Sequence, residues 1–199
     1  MIRRLWSALV VLALAGCGTS PVTHYHSLQS TLPPATGGGA ARLVEVLPVL
    51  VPAAVDRSEL VLTDASGRLD VQQSERWSGD LAEQLRGVIA DALWREARAA
   101  DVYAAPVPAG ASKLPQYRLA VRFERLDARP QGATVAASWT LRRLPDGRAL
   151  TCRSAEQRGM TSFTADAASQ ALGAAAQAVA EEIAAEVARF DRGGDCPAR

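Results

Sequence analysis

Hydrophobic and polar positions along this chain recur with two different periods, and the places where the period changes mark its elements. Tyr117, Leu119, Val121 and Phe123 alternate with Arg118, Arg122 and Glu124, and Val135, Ala137, Trp139 and Leu141 alternate with Thr134, Ser138, Thr140 and Arg142. A period of two is that of a strand with one buried face. Pro145-Asp146-Gly147 follows as a turn, proline presetting one dihedral and glycine supplying a positive φ, and the chain returns through Leu150-Thr151-Cys152 towards Met160. These segments predict an antiparallel meander buried on one side. Earlier in the chain, shorter strands are expected at 24–28, 42–47, 60–63 and 69–72. The stretch 31–41, with Pro33-Pro34 and Gly37-Gly38-Gly39, reads as a loop.

Two segments switch to the helical period. Leu81, Leu85, Val88, Ile89, Ala92 and Leu93 fall on one helical face, with Ser78 available as a cap and Asp80 in the first turn, predicting a helix over 78–98. Ala168, Leu172, Val179, Ile183, Val187 and Phe190 form the stripe of an alanine-rich helix over 165–191, which Gly193-Gly194 ends. Strands in runs with two helices to cover them define an α+β class. The expected architecture is a single antiparallel sheet with two long helices packed on one face, after a cleaved signal peptide.

The first residues follow different rules. Arg3 and Arg4 precede an apolar stretch of about eleven residues from Leu5 to Ala15, the charge and core pattern of a secretory signal. As a helix that stretch would span about 16 Å, half of a bilayer's hydrocarbon thickness, so it is too short to cross a membrane. Leu14-Ala15-Gly16-Cys17 resembles the lipobox of bacterial lipoproteins. That resemblance implies cleavage before Cys17 and acylation of its thiol by a diacylglycerol, with palmitate as a label for it. Two or more acyl chains give stable anchoring where one does not. Gly18 stands where enterobacterial lipoproteins retained at the inner membrane carry aspartate, which implies the periplasmic face of the outer membrane. The expected organisation is a signal peptide at 1–16, a lipidated tether at 17–22, one domain at 23–192 and a tail at 193–199.

Composition narrows the chemistry. The chain has a formal charge of +1 with no basic block, which argues against nucleic acid as a partner. With Cys17 lipidated, Cys152 and Cys196 remain in a compartment where disulfides form. They are expected to be bridged; the alternative is one buried and one exposed thiol. The two histidines, His24 and His26, share one face of a short strand, and without a third ligand in the sequence no metal is expected. No nucleophile elbow, phosphate loop or dinucleotide fingerprint occurs, so neither a cofactor nor catalysis is expected.

Three segments carry a family likeness. Pro52-Ala53-Ala54-Val55-Asp56-Arg57, running on to Leu60-Val61, resembles the Pro-x-x-[Leu/Val]-Asp-Arg-x-x-[Leu/Ile]-Val stretch of the PqiC/YmbA-like family of ABC-type transport auxiliary lipoproteins. Arg76-Trp77 with Leu81 resembles that family's Arg-Trp-x-x-x-Leu motif, and His24-Tyr25-His26-Ser27-Leu28 its opening Tyr-x-Leu strand. The resemblance implies a non-catalytic docking or ring-forming subunit of an intermembrane lipid-transport system that maintains envelope integrity. The implied partners are an MCE-domain protein and an inner-membrane ABC permease and ATPase. Pro52, Asp56 and Arg57 are the candidate interface, a planar guanidinium suiting bidentate partners; an ion pair internal to the turn is the other reading. Trp77 is expected to pack under the following helix. Two further classes compete with the transport role: a lipoprotein scaffolding another envelope complex, and an envelope hydrolase.

Overall fold

The strand and helix periods fold as two sheets and a helical layer. The structure, a computed structural model, describes residues 21–28, 38–107 and 113–196. Its elements are β1 (His24–His26), β2 (Arg42–Val46), β3 (Glu59–Thr63), β4 (Leu69–Trp77), α1 (Leu81–Ala97), β5 (Ala99–Asp101), β6 (Gln116–Arg129), β7 (Gly132–Leu144), β8 (Ala149–Arg158) and α2 (Ala165–Arg189), which runs into a short 3-10 turn at Phe190–Arg192. The class is α+β with two helices, but the expected single antiparallel sheet is not what forms. Three strands make one sheet in the order β1-β4-β3, and five make another in the order β5-β2-β6-β7-β8. Both sheets are mixed: β1 runs parallel to β4, and β2 runs parallel to β5 and β6.

The reason for the difference lies in how each pairing is written into the chain. β6, β7 and β8 are joined by tight turns and pair antiparallel in long registers, so local turn chemistry announces them. Gly132 makes the first turn at φ +141°, where an added Cβ would stand 2.5 Å from the Arg158 carbonyl oxygen. Parallel neighbours come from distant segments and leave no such mark. After β2, Pro48 interrupts the ladder, and pairing to β6 continues irregularly: Leu47 N–H donates to Leu119 O at 2.9 Å and Leu50 N–H to Val121 O at 3.2 Å. The chain then leaves this sheet and enters β3 of the other.

One face of the five-stranded sheet is the core. Tyr117, Leu119, Val121 and Phe123 point inward, and a bulge between Phe123 and Arg125 moves the inward set onto Leu126 and Ala128. Val135, Ala137, Trp139 and Leu141 continue that layer on β7, and the buried Trp139 Nε1–H donates to Ser154 Oγ at 3.0 Å. α2 packs on β6, β7 and β8, and α1 packs on α2 and β5. Small side chains at Ala168, Ala175, Ala176, Ala180 and Ala184 are fully buried, so the α2 backbone approaches its neighbours closely. Phe190 meets Tyr117 edge-on with centroids 6.0 Å apart. Burial, and then the Asp191 carboxylate that accepts from its hydroxyl, push the Tyr117 pKa up to about 12.

The helix caps refine the expected bounds. Asp80, not Ser78, caps α1: its carboxylate accepts from Glu83 N–H at 3.0 Å. Ser78 is still engaged with the small sheet, its N–H donating to His26 O at 2.8 Å. Thr164 caps α2 by accepting from Ala167 N–H. Trp77, at the end of β4, is buried in the core before α1 begins.

Candidate partner-binding site and the first strand

The Pro52–Arg57 segment is a turn organised by one carbonyl. Val55 and Asp56 both donate their N–H groups to Pro52 O, at 3.0 and 3.1 Å, and Arg57 N–H donates to Val55 O at 2.9 Å. Asp56 and Arg57 are both exposed and do not pair with each other. Arg57 Nε instead donates to Glu59 Oε2 at 3.2 Å, and Arg76 Nη2 stands 3.8 Å from the other oxygen of the same carboxylate. The Glu59 backbone N–H and then Arg57 hold that carboxyl below the usual carboxylate range. Glu59 is thus the residue that joins the two motif arginines, and neither motif revealed it, because the register of β3 against β4 sets the contact.

Beside this turn lies a groove of about 210 Å³ between the small sheet and the bulged end of β6. Pro52, Ala54 and Val55 form one wall, and Arg125, Leu126 and Asp127 form the other. Leu69, half exposed, lies at the groove, and Leu50 is exposed on the strand extension leading to the turn. Of the three predicted interface residues, Pro52 lines the groove, while Asp56 and Arg57 stand on the turn that bounds it. The lining mixes apolar Pro52, Val55, Val61 and Leu126 with charged Glu124, Arg125 and Asp127, a mixture also found at protein contacts.

The first strand is held by a second polar cluster. His24 and His26 share one face of β1, as their spacing implies, and β1 lies beside the end of β4 with His24 in register with Glu75. Glu75 takes both: His24 Nδ1 is 2.9 Å from one carboxylate oxygen and His26 Nε2 is 2.7 Å from the other. The other ring nitrogen of His26 lies 3.1 Å from Ser169 Oγ and 3.7 Å from Asp166 Oδ1, both on α2. The hydrogen bond and charge of Glu75 raise the His24 pKa, and the two histidines lower that of Glu75. The cluster ties the start of the domain to a strand and a helix far away in sequence. Among the described residues no group of three or more His, Cys, Asp or Glu is disposed to hold a metal ion.

Cys152 and Cys196 meet as a disulfide with Cα atoms 5.5 Å apart, joining β8 to the segment after α2. Cys17 and the expected signal segment at 1–16 lie outside the described residues. Among those described, no helix is long and apolar enough to cross a membrane.

Two mixed sheets under two helices, with the Pro52 turn leading into the small sheet and the Arg76-Trp77 pair ending it, define a small α+β domain with known relatives. The chain matches the family described as ABC-type transport auxiliary lipoprotein component over residues 26–184, and it belongs to that family. It is therefore an auxiliary lipoprotein component of ABC-type transport, and a lipoprotein of the Gram-negative cell envelope. No curated protein matches it. Solved structures share its fold, two of them as follows. One, an uncharacterized protein, aligns with a TM-score of 0.65 at 18% identity, covering 86% of this chain and 99% of its own. The other, a DUF330 protein from Xanthomonas campestris, aligns with a TM-score of 0.64 at 16% identity, covering 86% of this chain and 97% of its own.

Proposed function

We propose that this protein is a docking subunit of an MCE-type intermembrane lipid-transport system, attached by acyl chains on Cys17 to the periplasmic face of the outer membrane and acting without catalysis to maintain envelope integrity. The observation that carries the reading is the family match over most of the domain behind a lipobox that ends in Cys17. About six residues separate Cys17 from β1, a reach of roughly 20 Å at full extension. The domain therefore stays near the bilayer and needs a bridging partner to communicate across the periplasm. In this reading the bridge is an MCE-domain protein with its inner-membrane ABC permease and ATPase. The groove beside Pro52, with Asp56 and Arg57 on its bounding turn, is the contact, repeated around a homo-oligomeric ring.

Affinity purification of the acylated protein from membranes, with identification of the chains that accompany it, tests this. MCE and ABC chains should co-purify, and Arg57→Glu should release them while the protein stays folded. If neither chain appears and deletion leaves envelope permeability to detergents unchanged, a scaffold for another envelope complex replaces this reading. Cys17→Ala should abolish palmitate labelling, and retained labelling would end the claim of an anchor at that residue.

A further inference from the structure

The helix-free face of the five-stranded sheet carries an arrangement that folding alone does not favour. Arg118 on β6 stands directly opposite Arg142 on β7, and like charges at paired positions repel. Two rows further along the same face, Arg122 and Arg153 flank Ser138, with small Ala120, Thr140 and Thr151 on the row between. Glu45 answers Arg118 at 2.7 Å and Glu124 answers Arg153 at 3.0 Å. These rows thus hold four arginines against two glutamates. Next to the Arg118–Arg142 row is an uncharged one, in which Leu43 and Leu144 flank Gln116. Tyr103 and Val107, both exposed, border it and complete a pocket of about 200 Å³.

We infer that this face binds an anionic phospholipid, its phosphate between Arg118 and Arg142 and the start of its acyl chains against Leu43, Tyr103, Val107 and Leu144. Guanidinium groups recognise phosphate by charge-assisted, bidentate hydrogen bonds, and an anion between two opposed arginines removes their repulsion. The pocket one row away, where Leu43, Tyr103, Val107 and Leu144 stand beside Glu45 and Gln116, gives the ligand its second half, which a bare phosphate would leave empty. An acidic peptide fits less well. The main chain of these central strands is already committed to the ladders on both sides, whereas extended peptides dock on open strand edges. The inference rests on the lipid-transport reading above and deepens it, placing a lipid on this subunit itself.

The test uses the acylated full-length protein in neutral maltoside micelles, titrated with dihexanoylphosphatidylglycerol. The comparison ligands are dihexanoylphosphatidylcholine, inorganic phosphate and a poly-glutamate peptide. The phosphatidylglycerol should bind saturably, with the phosphatidylcholine and phosphate at least tenfold weaker. The double variant R118Q/R142Q should weaken it by about tenfold or more, the expected size for losing charged hydrogen bonds. R68Q, on the β3–β4 turn, should leave it unchanged. R142Q alone, which keeps the Arg118–Glu45 pair, should unfold at the same urea concentration as the native protein or a higher one; earlier unfolding would overturn the premise of repulsion. Y103S/V107S supplies an independent arm, weakening the phosphatidylglycerol but not phosphate. Equal binding of phosphate, equal binding of phosphatidylcholine, tighter binding of the peptide, or indifference to R118Q/R142Q would each overturn the assignment. The two readings fail separately. Co-purifying transport chains without lipid binding would sink this site alone, and lipid binding without those chains would sink the transport reading.

Discussion

The two sheets of this domain are held by different physics. The five-stranded sheet turns a continuous apolar layer towards the helices, where Tyr117, Leu119, Val135 and Leu141 are all buried at 1% exposure or less. Its cohesion is non-directional and roughly proportional to the area removed from water. The three-stranded sheet is more open. Two of the three β1 residues are exposed and β4 is mostly exposed or half-buried. Glu75 on its two histidines, and Glu59 between two arginines, supply directional polar contacts there. The difference separates a sheet held chiefly by its core from a chain entry and a Pro52 turn whose polar contacts pH and salt can tune.

The comparison breaks first if the large sheet does not depend on its core. Trp139→Ala removes the largest fully buried side chain and leaves Ser154 without its donor, and should cost about 3–5 kcal/mol. Urea unfolding measures it. A loss below about 1 kcal/mol would mean that the inward layer is not the principal source of stability. The next largest effect concerns the link between β8 and the segment after α2. Opening the Cys152–Cys196 bridge frees a loop with a sequence separation of 44, and should cost about 2–4 kcal/mol in the chain-entropy account. Mass analysis of the alkylated, unreduced periplasmic protein comes first: two free thiols there would remove the bridge. Unfolding with and without reductant then gives the size.

These regions also differ in how far they could be read in advance. The stripes Leu81 to Leu93 and Ala168 to Phe190, and the alternation through β6 and β7, predicted helices and strands within a few residues of those observed. In each case burial follows a local period. The strands of the small sheet were each expected near where they lie, but their pairing was not legible. β1 and β4 pair in parallel across about fifty residues, and β5 of the five-stranded sheet, three residues long, is too short to show a period. The site followed the same division. The Pro52 turn and the Arg76-Trp77 pair were visible as motifs, while the contact of Glu59 with Arg76 and that of Glu75 with the two histidines depend on register between strands and carry no local signal.

A smaller effect sharpens the comparison at the junction between the sheets. Asp80 caps α1 just after the chain leaves the small sheet at Ser78. Asp80→Ala should cost about 1 kcal/mol, whereas Ser78→Ala, which keeps the backbone bond to His26 O, should cost far less. Urea midpoints of the two variants decide which residue starts the helix, and a larger loss at Ser78 would reverse the assignment.

The smallest effect is the one that distinguishes the two kinds of cohesion most directly, because it depends on pH. His24 holds its proton more tightly in the folded protein than in the unfolded chain. Its contribution is therefore fully present below about pH 6.5, the ordinary histidine value, and is lost as pH rises through the raised folded value. Glu75 is shifted the other way. Its contribution is present above about pH 4.3, the ordinary value for glutamate, and is lost as pH falls through the depressed folded value. The two overlap between about pH 4.3 and 6.5, and there the first strand should be held most firmly. His26 and Asp166 complete the polar surroundings of the cluster. Glu75→Gln removes the carboxylate that both shifts depend on. The difference in urea midpoint between the native protein and this variant should be largest inside that window and shrink on either side of it. Added salt should reduce it, since His24 is exposed and exposed pairs are screened. A difference that stayed constant from pH 4 to 8 would show that Glu75 acts through packing alone, and the contrast between the two sheets would lose its electrostatic half.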